Sequence, residues 1–101
     1  MPETVVKKFY PCPVDIDAVR ADWMEQGYSF HVMTDRPGQQ WNGFFHPTNE
    51  YLTVAEGHLK VVVGEETVTA EPGDLLYIPA GVVHSVQNIT SEATHWYFGY
   101  D

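Results

Sequence analysis

Basic side chains are scarce in this sequence: five Lys and Arg stand against fourteen Asp and Glu, for a net charge of −9 with His neutral. A surface of that sign repels phosphate backbones, and beyond Lys7 and Lys8 no basic residues cluster, so nucleic acid is not an expected partner. Cysteine is nearly absent, with Cys12 alone between Pro11 and Pro13. One thiol excludes an internal disulfide, a cysteine zinc site and a redox pair. No apolar run approaches the roughly 20 residues of a membrane-spanning helix, so no membrane partner is expected either. The first eight residues lack the charged start and long apolar stretch of a secretory leader, which points to a cytoplasmic protein. Without a leader, the sequon Asn88-Ile89-Thr90 reads as accidental. The glycines show no phosphate-binding spacing, and no Ser/His/Asp order or nucleophilic cysteine context is present.

What remains is a chain rich enough in apolar side chains, 44% with 14% aromatic, to fold on its own. At 101 residues it makes one domain, burying about 60–65% of the surface its unfolded form exposes. Residues 4–9 are β-branched at three positions and stop at Pro11, which predicts a short edge strand. Asp15 can cap a helix in which Ile16, Val19 and Trp23 recur at helical spacing, and Gly27 suits its end. After that the texture changes to short β-rich runs at 28–34, 40–46, 50–55, 58–63, 67–70, 75–78, 83–88 and 94–100. Turn formers such as Arg36-Pro37-Gly38, Glu71-Pro72-Gly73-Asp74 and Pro79-Ala80-Gly81 separate them. The reading is a single domain over residues 1–101: an N-terminal strand and helix in 1–27, then an all-β jelly-roll barrel over 28–101.

His46 and Glu50 are four apart, a spacing that would share a helix face. Pro47 pushes His46 toward extended geometry instead, so His46 is placed at the end of one strand and Glu50 at the start of the next. His84, in the run after Pro79-Ala80-Gly81, needs only to face the same interior. Two imidazoles and a carboxylate suit a divalent transition metal and leave coordination positions open.

The spacing around these residues resembles the cupin superfamily, in its small single-domain microbial form. Its first motif reads G, five residues, H-x-H, three or four residues, E, six residues, G; Gly38, His46, Glu50 and Gly57 fall at those places. Its second reads G, five residues, P-x-G, two residues, H, three residues, N; Gly73, Pro79, Gly81, His84 and Asn88 match throughout. The resemblance spans residues 38–88 and implies a double-stranded β-helix with a divalent metal (Fe, Mn, Ni, Co or Zn) on His46, Glu50 and His84. The family's fourth ligand, the first His of H-x-H, falls on Phe44, which has no lone pair to give. Strand alternation puts Phe44 on the same face as His46. The site is then either a three-ligand centre or a degenerate one.

On the last strand His95, Tyr97 and Gly99 share one face and Trp96, Phe98 and Tyr100 the other, so at most one set lines a pocket. His95 and Tyr97 are the candidates for a missing ligand or a general acid; His31 is ambiguous and His58 is expected in a solvated turn. Trp41 beside Phe44 is expected to line the pocket, and Phe45 and the aromatics of 96–100 are apolar wall or core. The expected function is a metal-dependent enzyme of dioxygenase, isomerase or lyase type acting on a small molecule. The alternative is a non-catalytic cupin that binds a small ligand. A homodimer is expected, with the N-terminal strand pairing onto a neighbour's sheet.

Overall fold

The computed structural model describes residues 4–101. The start of the expected domain and of the N-terminus read as leader-free, residues 1–3, lies outside the described residues. Nine strands and one helix follow in the order β1 (Val5–Val6), α1 (Ile16–Glu25), β2 (His31–Asp35), β3 (Gln40–Phe44), β4 (Glu50–Glu56), β5 (Leu59–Val63), β6 (Glu66–Ala70), β7 (Leu75–Ile78), β8 (His84–Asn88) and β9 (Thr94–Tyr100). They form a five-stranded sheet, β1-β7-β4-β9-β2, facing a four-stranded one, β3-β8-β5-β6. Every pair of these strands is antiparallel. This is the jelly-roll barrel that the short, evenly spaced strands predict.

The interior between the sheets is filled by alternate residues of each strand. Leu52, Val54, Leu59, Val61, Leu76, Ile78, Val86 and Trp96 form one buried cluster. A second cluster lies on the other side of the five-stranded sheet, where Val19 and Trp23 of α1 meet Tyr10 and Tyr97. That sheet is therefore buried on both faces. Asp15 caps α1 as expected, its carboxylate accepting from the backbone N–H of Asp17 and Ala18 at 3.0 and 3.4 Å. Gly27, at φ +84°, ends it. Ile16 stays exposed, so the buried helical stripe is narrower than its spacing suggests.

The expected strand at 4–9 is only Val5–Val6, and two barrel strands differ from expectation by more than one residue at a boundary. The run 28–34 enters the sheet only at His31, because the N–H groups before it are spent elsewhere: Tyr28 donates to the Trp23 carbonyl at 2.9 Å and Ser29 to the Tyr100 carbonyl at 2.8 Å. The run 40–46 leaves the ladder at Phe44, after a register shift that takes in Gly43 at φ +69°. Strand β1 pairs with β7 of its own chain. One of its edges is thus used within the molecule, and as the end strand of the sheet it keeps the other. Lys7 and Lys8 fasten the segment after β1 to Asp74, whose buried carboxylate also accepts from the Glu71 N–H at 2.9 Å. Burial alone would raise the Asp74 pKa; these donors outweigh it and hold it below the ordinary value.

Of the motif glycines, Gly73 shows most plainly why no other residue serves. A Cβ there would stand 2.4 Å from the Tyr10 carbonyl oxygen, on a backbone at φ +89°. The close approach is what lets Tyr10 N–H reach the Gly73 carbonyl at 2.9 Å. No helix among the described residues is long and apolar enough to cross a membrane.

Candidate metal centre

Three strands bring the candidate ligands to one end of the barrel. Glu50 opens β4 on the same face as Leu52 and Val54, so its carboxylate points inward and is buried, with 4% exposure. His84 opens β8 on the face shared with Val86 and is equally buried. His46 follows β3, just before Pro47, and is half-buried. Its carbonyl accepts from Gly81 N–H at 2.8 Å, which ties it to the turn leading into β8. The Asn49 side chain braces the same corner, accepting from Ala80 N–H at 2.8 Å and donating to Asp101 at 2.8 Å.

The ligand atoms of His46, Glu50 and His84 all lie within 4.8 Å of one another. Glu50 Oε1 sits between the imidazoles, 3.3 Å from His84 Nε2 and 3.8 Å from His46 Nε2. With His84 neutral neither contact is a hydrogen bond, and Glu50 Oε1 is a buried carboxylate oxygen without a donor among the described residues. An unpartnered buried carboxylate is costly, and a cation at this point would satisfy it. His84 Nδ1 is 3.1 Å from the Val82 carbonyl, so it carries the proton and leaves the Nε2 lone pair facing Glu50. These three residues fit a metal by donor type, by spacing and by the orphaned oxygen.

Phe44 is the cross-strand partner of His84 and stands with its ring centroid 6.2 Å from the His84 ring and 6.1 Å from that of His46. A cavity of about 200 Å³ opens beside the three ligands. Its wall is mostly apolar: Met33, Trp41, Phe44, Val86, Trp96 and Phe98, with Tyr100 near the ligands. The indoles of Trp41 and Trp96 both donate to Asp35 Oδ2, each at 3.1 Å, and Asp35 is buried. Burial raises the Asp35 pKa more than the two indole hydrogen bonds lower it.

A family profile described as a cupin domain matches residues 31–100. The chain belongs to the cupin family. Solved structures agree on the fold. The TT1209 protein from Thermus thermophilus superposes at a TM-score of 0.67 and 25% identity, over 72% of this chain and 71% of that one. The plu4264 protein from Photorhabdus luminescens gives 0.67 and 25%, over 72% and 61%. An oxalate oxidase in complex with the substrate analogue glycolate gives 0.68 and 20%, over 74% of this chain but only 42% of that one. No curated protein matches the sequence.

Within this cupin the last strand turns the opposite face to the cavity from the one that His95 and Tyr97 occupy. Tyr97 is buried against Trp23 and Phe30 under α1. His95 lies on that same outer side, with Nδ1 2.9 Å from Thr34 Oγ1 and Nε2 4.0 Å from Glu56. Both candidates are corrected: neither lines the cavity, because β9 is covered on both faces and its outer aromatic belongs to the helix. His31 is exposed at the barrel edge, its ring 5.1 Å from Phe98, and Phe45 is 61% exposed rather than part of the wall. Reasoning from sequence missed Met33 and Asp35 at the site, and it placed Tyr100 only as an aromatic of wall or core. Tyr100 stands directly opposite Glu50 in the β4–β9 ladder. Its Oη is 3.4 Å from His46 Nε2, and burial together with Glu50 pushes its pKa up to about 12.

Proposed function

We propose that this cupin is a metal-dependent enzyme for a small organic molecule, with His46, Glu50 and His84 holding a divalent ion of Fe, Mn, Ni, Co or Zn. The observation that carries the reading is Glu50 Oε1, a buried anionic oxygen with no donor among the described residues, set between two imidazole nitrogens. Metal binding is common among cupins. When bound, such an ion polarises a carbonyl or activates dioxygen at its open positions. The remaining work falls to the chain. Glu50 supplies charge neutralisation, and the Val82 carbonyl keeps the His84 tautomer. Trp41, Trp96 and Phe98 form an apolar wall around a volume of about 200 Å³, room for a small organic molecule of roughly benzene size or somewhat larger. The reaction is of dioxygenase, isomerase or lyase type.

Elemental analysis of untagged protein purified without chelator tests this. One equivalent of a transition metal supports it; protein that stays metal-free after incubation with each of the five ions and dialysis overturns it. Phe44 favours a second reading, a small-ligand carrier with a degenerate site, since it leaves the cavity less polar. The Phe44→His variant separates the two. Phe44 already stands beside both histidines, so an added imidazole should raise metal affinity about tenfold or more while turnover falls, a coordination position being filled. Equal affinity would mean that position 44 does not face the metal.

The pH dependence follows from His84. Burial opposes its charged form, but the Glu50 carboxylate and the Val82 carbonyl outweigh burial and raise its pKa. In metal-free protein, protonated His84 beside Glu50 adds stability below pH ~6.5, and this is lost as pH rises through the higher folded value. Metal needs the neutral ring, so affinity runs the other way. Titrations from about pH 5.5 to 8.5 should show affinity climbing until above pH ~6.5 before it levels; a flat profile would remove His84 as a ligand. As partners we propose a second copy of the chain, with β1 and β2 as the end strands of the five-stranded sheet and Val32 exposed on β2, and neither nucleic acid nor membrane.

A further inference from the structure

We propose that Tyr100 supplies a fourth protein donor to this metal centre through its phenol oxygen, in place of the imidazole that Phe44 cannot provide. The inference rests on the metal-binding reading above. Its first support is spacing. Tyr100 Oη to His46 Nε2 is 3.4 Å, His46 Nε2 to Glu50 Oε1 is 3.8 Å, and Glu50 Oε1 to His84 Nε2 is 3.3 Å. Donors that share one ion at about 2.0–2.1 Å lie about 3–3.5 Å apart, so the Tyr100–His46 and Glu50–His84 gaps fall in that range, within a set of three ligand atoms that spans no more than 4.8 Å.

Its second support is the backbone. Glu50 and Tyr100 are direct partners in the β4–β9 ladder, so their side chains leave adjacent strands on one face and reach the site without movement of either strand. His84 and the segment carrying His46 belong to the opposing sheet, so the donors come from both sheets. Its third support is elimination among the lining residues. Apart from His46, Glu50 and His84, Tyr100 alone offers an oxygen or nitrogen lone pair, since both indole N–H groups are donors already engaged by Asp35.

On coordination the phenol O–H bond breaks, its proton leaves to solvent, and the freed electron pair forms the bond to the metal; no oxidation state changes. A phenolate bound to ferric iron has a visible charge-transfer band that imidazole and carboxylate do not give. Metal-free wild type, Tyr100→Phe, Tyr97→Phe and His84→Ala are therefore loaded with ferric citrate, dialysed, and read by iron content and visible absorption. Wild type and Tyr97→Phe are expected to bind one equivalent and to colour. Tyr100→Phe should lose the band and bind about 10- to 100-fold more weakly. His84→Ala should bind no iron. Tyr100→Phe that keeps both band and affinity overturns the role of Tyr100 while leaving the metal site standing. Wild type that binds iron without the band also overturns the role of Tyr100, and wild type that takes up neither ferric iron nor any of the five divalent ions overturns both.

Discussion

Replacing His84 with alanine is expected to lower divalent-metal affinity more than about 100-fold and to leave the barrel folded. Loss of a residue that only orients a ligand already costs about 10- to 100-fold, and His84 is placed as a ligand itself. Its Nε2 is 3.3 Å from Glu50 Oε1, and its other nitrogen is fixed by the Val82 carbonyl, so no alternative rotamer of a neighbour restores the donor. The fold should survive because the apolar cluster of Leu52, Val61, Leu76 and Trp96 forms without it. A stability change of about 1–2 kcal/mol is expected, from leaving the Glu50 carboxylate with one imidazole fewer. Calorimetric titration of wild type and variant with the same metal, alongside far-UV circular dichroism, measures both. Unchanged affinity would show that the metal lies elsewhere.

Trp23→Ala is expected to cost about 3–5 kcal/mol, a large share of the roughly 5–15 kcal/mol that holds a domain of this kind together. Trp23 is fully buried, its ring 5.6 Å from Phe30 and 5.7 Å from Tyr51, and its Nε1 donates to Tyr10 Oη at 3.0 Å. Alanine would leave a cavity between α1 and the five-stranded sheet and remove the donor to Tyr10, whose hydroxyl also donates to Asp22 at 2.7 Å. The metal residues lie on the other side of that sheet. The variant should therefore keep its affinity, and metal at about 100 times Kd should return about 2.7 kcal/mol. Chemical denaturation with and without metal tests this. A loss under about 1 kcal/mol would mean that α1 is not a fixed part of the core.

Much of the fold is legible in the order of residues alone. Turn formers between β-branched runs place eight barrel strands within a few residues, because Gly and Pro interrupt a ladder for steric reasons that act locally. Pro47 alone is enough to move His46 and Glu50 from a helix to a strand end. Where boundaries slip, as at 28–30, the backbone N–H groups are engaged by the helix end and by Tyr100, the second of which lies far away in sequence.

The sequence by itself determined the family, the barrel, the three ligand candidates and the anomaly at Phe44, since each depends on residue type at fixed spacing. Only the tertiary structure decided which face of β9 meets the cavity. Both faces of that strand are aromatic, because α1 covers one and the barrel interior the other, so alternation offers two equal answers and gives no reason to choose. Burial of Tyr97 in the cluster of Val19 and Trp23 settles the parity and turns Tyr100 inward. The meeting of Tyr100 with Glu50 and His46 then follows from register between strands, a long-range property that no local spacing encodes.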